Sequence, residues 1–113
     1  MAKSINKMNF DELKALALKN AELGGRLKIG MVVKRPYWDD GFFLYIGKGY
    51  SPCSGSINEG VTVDEGGVYR EYVSTMFTTP ATVKEVRGFF KKLEADKQAF
   101  MDQVRRVYVN LNN

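Results

Sequence analysis

Apolar and polar positions alternate along this chain in three textures. Over residues 9–23, Phe10, Leu13, Leu16, Ala17 and Asn20 recur at three- and four-residue spacing, the period of one helix face. Asn9 suits the cap of that helix, and Asp11 and Glu12 suit its electropositive first turn. Gly24-Gly25 supplies the stop, because glycine accepts the left-handed backbone that commonly follows a helix. The pattern predicts a helix over 9–23 behind a tail over 1–8.

From Arg26 the texture turns β-branched and aromatic, which predicts strands. Met31, Val32 and Val33 follow Gly30 as a short strand that Pro36 ends or edges. The run from Tyr37 to Gly41 reads as a turn, since Asp-Gly tolerates the backbone a tight hairpin needs. Phe42 to Ile46 returns as a nearly continuous apolar run, the signature of a central strand covered on both faces. Residues 47–60 show no hydrophobic period and many Gly and Ser, and predict a long loop. Val61 to Val63, a turn at Asp64-Glu65-Gly66-Gly67, and Val68 to Val73 make a second hairpin. In its last strand Val68, Arg70 and Tyr72 alternate with Tyr69, Glu71 and Val73, and neither set is clearly the buried one.

The third texture is helical again. Its start lies near Pro80 to Val83, with Thr79 capping ahead of Pro80, or with Thr82 and Glu85 as a capping box. Val86, Phe90, Leu93, Lys97, Phe100, Val104, Val107 and Leu111 then repeat as a heptad seam that Lys97 alone interrupts, widened by Phe89 and Met101. One helix over 80–110 would be roughly 40 Å long, and its far half would overhang the sheet. Such a seam either packs across the sheet, the commoner use, or pairs with a copy of itself or a partner helix, with Lys97 setting register. The predicted architecture is a single α+β domain: an N-terminal helix, a small antiparallel sheet of about four strands, and a long amphipathic C-terminal helix.

Composition narrows what such a domain can do. The 113 residues hold no His and one Cys, which removes histidine-based triads, histidine metal ligands and histidine pH switches. Cys53 has neither a disulfide mate nor an imidazole to activate it, so a catalytic role is a minority reading and a reducing compartment, the cytoplasm, is expected. No signal-peptide or membrane-spanning pattern is present in the chain. The net charge is +4 from 17 basic and 13 acidic residues, but it is uneven. Residues 1–35 carry +5, 36–80 carry −4 and 81–113 carry +3, a polarised distribution rather than a uniform polyanion-binding field.

Three constellations remain as candidates. Tyr37, Trp38 and Tyr50, with Phe100 and Val104 of the seam, form a partner-binding set. Arg35 and Lys48, with Ser54 and Ser56 of the Gly/Ser-rich stretch, form an anion or nucleotide cradle without the spacing of a P-loop. The cations and aromatics from Lys34 to Tyr50 also resemble a single-strand-binding surface, which the acidic balance of the same region opposes. Asp39-Asp40 and Asp64-Glu65 are explained by turn chemistry and have no metal-ligand spacing. No cofactor or metal is expected.

Asn9-Phe10, Gly30, Val33, Arg35, Trp38, Gly41 and Phe42-Phe43-Leu44-Tyr45, with echoes at Gly67-Val68-Tyr69 and Ser74-Thr75-Met76, carry a resemblance to the small phage-encoded nucleotide-sponge proteins that counter Thoeris immunity. The resemblance covers about residues 9–48. It implies a multimeric α+β protein that sequesters a cyclic-nucleotide-like signal without turning it over, with Arg35 and Trp38 as the positions to test. Taken together, the sequence points to a non-catalytic binding protein, a phage accessory or inhibitor protein that binds a host macromolecule stoichiometrically and acts in the host cytoplasm. Sequestration of a small nucleotide and nucleic-acid binding by the basic ends are the alternatives.

Overall fold

Asn9 caps the first helix in both directions: its side-chain oxygen accepts from the Glu12 N–H at 2.8 Å, and the Glu12 carboxylate accepts from the Asn9 N–H at 3.0 Å. The capping box satisfies donors that a helix start leaves unpaired, and α1 (Phe10–Leu23) follows it as expected. The structure, a computed structural model, describes residues 4–35, 41–53, 55–74 and 78–112. A single 3₁₀ turn (Ile5–Lys7) precedes α1 and buries Ile5. Asn20, the polar member of the apolar face, is buried, and its side-chain amide donates to the Gly30 carbonyl at 3.2 Å. Gly30 has φ +89°, and a Cβ there would lie 2.5 Å from Leu16 Cδ2. Helix and sheet are therefore tied where only glycine fits.

Five strands, one more than the sequence suggests, form a sheet in the order β4-β3-β2-β1-β5. They are β1 (Val32–Lys34), β2 (Phe42–Ser51), β3 (Gly55–Asp64), β4 (Gly67–Ser74) and β5 (Thr79–Pro80), with every pairing antiparallel. The extra strand lies over Thr79–Pro80, which the sequence also offers as a helix start. Pro80 pairs with Val33, and the Ala81 N–H donates to the Val32 carbonyl at 3.0 Å. The Thr82–Glu85 capping box then starts the helix at Val83.

The long loop expected over 47–60 is instead the far half of a β2–β3 hairpin, paired from Gly47↔Glu59 to Ser51↔Gly55. Its apolar period is hidden for two physical reasons. Gly47 faces Leu111, which a Cβ would approach to 3.0 Å, and β3 buries the polar Asn58, Glu59 and Thr62. The turn expected over Tyr37 to Gly41 lies largely outside the described residues, but the Arg35 N–H donates to the Gly41 carbonyl at 2.7 Å and closes the β1–β2 connection.

The apolar run of β2 is buried on both faces, as its continuity predicts. Leu44 and Ile46 join Val32 and Val61 beneath the helices, whereas Phe43 and Tyr45 join Met31 and Val33 on the opposite face, with Leu27 and Val73 packed beside them. Burial raises the Tyr45 hydroxyl above the usual tyrosine pKa.

The C-terminal helix is broken rather than continuous. α2 (Val83–Leu93) gives way to a 3₁₀ turn (Glu94–Asp96), where Asp96 leaves helical geometry at φ −130°, ψ 35°, before α3 (Lys97–Leu111). The domain measures 35 × 33 × 31 Å, and no helical half overhangs it. Both segments face inward through Val86, Phe90, Leu93, Phe100, Val104 and Val107. Phe10, Phe89, Phe90 and Phe100 meet edge to face with ring centroids 5.5 to 6.2 Å apart, joining all three helices. Lys97 needs no partner helix: it is exposed at the corner, its ammonium 5.1 Å from the Phe10 ring centroid.

The expectation that Phe100 and Val104 face a partner is thereby corrected, because both are fully buried in the core. Phe100→Ala is expected to lower unfolding free energy by about 3–5 kcal/mol in urea titration, as other large-to-small core changes do. A folded variant of parental stability would show that the seam is not core.

Lys34 on β1 reaches the capping box at the start of α2, with Nζ 2.9 Å from Glu85 Oε2. Partial burial pushes the Glu85 carboxyl up, but the Thr82 N–H and hydroxyl and the Lys34 ammonium outweigh it and hold the pKa below the ordinary 4.5. A depressed folded pKa stabilises above the unfolded value and is lost as pH falls through the folded one. Glu85→Ala should therefore cost about 1 kcal/mol at pH 7, with parent and variant converging in urea titrations as pH falls below 4.5.

Candidate functional site

A sheet with two edges must do something with the backbone groups that face outward. One edge is short and blunt: β5 has two residues, and one is Pro80, which has no N–H to offer. The other is β4, eight residues of sequence GVYREYVS. Among the described residues nothing pairs with its outer side. Antiparallel pairing turns alternate residues toward and away from the neighbour. The Tyr72 N–H is accepted by the Glu71 carboxylate at 3.0 Å, so it faces outward. Alternation then places the N–H and C=O groups of Val68 and Arg70 on that same open side. Tyr72 itself is 61% exposed.

The centre of β4 carries one charge on each face of the sheet, and both are anchored. On the helix-covered face Arg70 pairs with Glu59 of β3, a carboxylate buried beneath the helices. Gly49 makes room for it, since a Cβ there would overlap the Glu59 carboxylate. On the opposite face Glu71 accepts from Arg35, which comes from the end of β1, and both side chains are mostly buried. Glu71 thus uses one oxygen for Arg35 and the other for the edge N–H of Tyr72.

Where the β3–β4 hairpin meets the corner of the helices, a cleft of about 490 Å³ opens between Arg35, Val63, Asp64, Glu65, Tyr69, Lys92 and Asp96. Tyr69 is kept protonated by partial burial and by its hydrogen bond to the Asp64 carboxylate, which together raise its pKa. The cleft mixes both signs of charge, and its Arg35 is already engaged by Glu71.

The proposed cradle residues do not converge. Arg35 lies at the Gly41 end of β2, whereas Lys48 pairs with Asn58 and Ser56 with Tyr50 toward the other end. Arg35 and Lys48 are roughly 20 Å apart along the strand. Ser54, Tyr37 and Trp38 lie outside the described residues. Tyr50 stands 76% exposed near the tip of the β2–β3 hairpin, beside the exposed Cys53. Among the described residues no group of acidic or thiol side chains is placed to hold a metal ion, and no helix is long and apolar enough to cross a membrane. What sequence reasoning missed is the β4 edge. Its only signal was the unresolved alternation of Val68 to Val73, which marks a strand whose two faces both carry charge.

No family model matches the chain, and no match to it was found among curated proteins or solved structures.

Arg70→Ala should cost about 2 kcal/mol, read from urea unfolding, because Glu59 is left buried without its cation; the half-exposed arginine keeps the loss below that of a fully buried pair. Converting the pair together, Arg70→Met with Glu59→Gln, should recover most of the loss. A single variant as stable as the parent would show that the pair does not hold β4 in place.

Proposed function

We propose that this chain acts by stoichiometric binding of a protein partner, as an accessory or inhibitor protein, rather than by turning over a substrate. The observation that carries the reading is the open β4 edge, set against an opposite edge closed by Pro80. A strand with free backbone groups adds a partner's extended segment through main-chain hydrogen bonds, and flanking side chains select which segment. Tyr72 on the edge and Tyr50 on the neighbouring hairpin supply exposed aromatic surface of the kind that anchors interfaces.

Tyr72→Pro tests this without dismantling the sheet, because the N–H it deletes points outward and makes no bond to β3. Affinity capture from host lysate, with light scattering on the recovered complex, should yield a partner at fixed stoichiometry with the parent and none with Tyr72→Pro at a temperature where both proteins are fully folded. Equal capture by both proteins would remove β4 as the binding edge.

A second reading, sequestration of a small signalling nucleotide, draws on the cleft, where Arg35 and Lys92 stand with the Tyr69 ring, and on the resemblance to nucleotide-sponge proteins over 9–48. A nucleotide present at a hundred times its Kd should stabilise the chain by about 2.7 kcal/mol, a melting shift of several degrees. A panel of cyclic and linear nucleotides that leaves the melting temperature unchanged would discard this reading.

A further inference from the structure

The charges on β4 say more about what can pair with it. Resting on the reading of β4 as a binding edge, we propose that its occupant is an extended segment of a different protein, running antiparallel, with a basic residue opposite Glu71 followed directly by an acidic residue opposite Arg70. A second copy of this chain cannot use the whole edge without setting like charges opposite each other.

The exclusion follows from register. Two copies joined edge to edge in antiparallel fashion are related by a two-fold axis normal to the sheet, so each residue faces one of the same parity. Two registers use the outward groups of Val68, Arg70 and Tyr72 all together. One centres on Arg70 and sets it against its own copy. The other centres on Glu71 and sets that carboxylate against its copy at a non-hydrogen-bonded position, where Cα atoms come within about 4.5 Å. Like charges directly opposite destabilise a strand pair. The register that would match Arg70 to Glu71 is closed, because the backbone groups of residue 71 are turned inward to β3, where it pairs with Gly60. Self-pairing along the whole edge is thus obstructed by charge in both of those registers, and the ladder closes the one that would match opposite charges, a common way to guard an edge against its own kind.

A foreign strand is under no such constraint. Its residue opposite Arg70 shares the helix-covered face and can be acidic, while its preceding residue, opposite Glu71, shares the other face and can be basic. Neither β4 charge has to leave its existing partner, since Glu59 and Arg35 hold them from within the sheet. Only the Glu71 oxygen on the Tyr72 N–H must yield, to a carbonyl of the incoming strand. Opposite Val68 and Val73 the segment is best β-branched, as cross-strand packing favours.

Three synthetic peptides titrated into the isotope-labelled full chain, with amide shifts read by NMR, test the proposal. The first contains Val-Ile-Lys-Glu-Thr-Val, the second the same residues as Val-Ile-Glu-Lys-Thr-Val, and the third is the first with N-methyl groups on Ile and Glu, whose N–H groups face β4. The first should move the Val68, Arg70 and Tyr72 amides and bind about tenfold more tightly than the second, a difference of about 1.4 kcal/mol. The third should not bind. Equal affinity for the first two overturns the charge code while leaving the edge reading in place. No shift at β4 with any peptide, or undiminished binding of the N-methylated one, overturns the edge reading itself. A dimer in light scattering that Tyr72→Pro converts to monomer would make a second copy the occupant and overturn the proposal.

Discussion

The contact on which the fold depends is the meeting of Phe10, Phe89, Phe90 and Phe100. These four rings come from three helices, and their edge-to-face packing closes the helical layer over one face of the sheet. Edge-to-face geometry gains electrostatic attraction beyond area burial. With that layer shut, Leu44, Ile46 and Val61 are removed from water, and β4 is held at the margin of the sheet with its outer side open.

The second constraint is electrostatic, and it explains why β4 keeps its shape without a neighbour. An edge strand with charges at its centre would fray if those charges sought water on both sides. Here each is fastened inward by a residue from another strand: Arg70 by Glu59 of β3, Glu71 by Arg35 from the end of β1. The second pair bridges 36 positions of sequence, so it clamps the first strand to the last of the meander. An ordered edge loses less conformational freedom on binding than a loose one.

Local chemistry in the sequence was enough where structure is decided locally. Asn9 with Glu12 and Thr82 with Glu85 mark the starts of α1 and α2, and the unbroken run from Phe42 to Ile46 marks a strand buried on both faces. It failed where the deciding partner is distant. Gly47 and Gly49 read as loop residues because what fills the space above them, Leu111 and Glu59, arrives from elsewhere in the chain. The break at Glu94 to Asp96 was invisible because Leu93 and Phe100 stay seven positions apart, so the turn bends the axis without shifting the heptad phase. Arg35 was recognisable as an important cation, but its carboxylate partner was not, and the cradle drawn around it from nearby Lys48 and Ser56 was the wrong neighbourhood.

That preserved phase has a consequence for how the chain can vary in length. Exposed corners between helices ordinarily absorb insertions with little effect, and Glu94, Ala95 and Asp96 are all exposed. A single residue added there would turn α3 by about 100°, carrying Val104 to the exposed position of Arg105 and bringing Gln103 and Arg106 to the buried positions of Val104 and Val107. The corner is therefore fixed in residue count while remaining free in residue identity, the reverse of a surface loop.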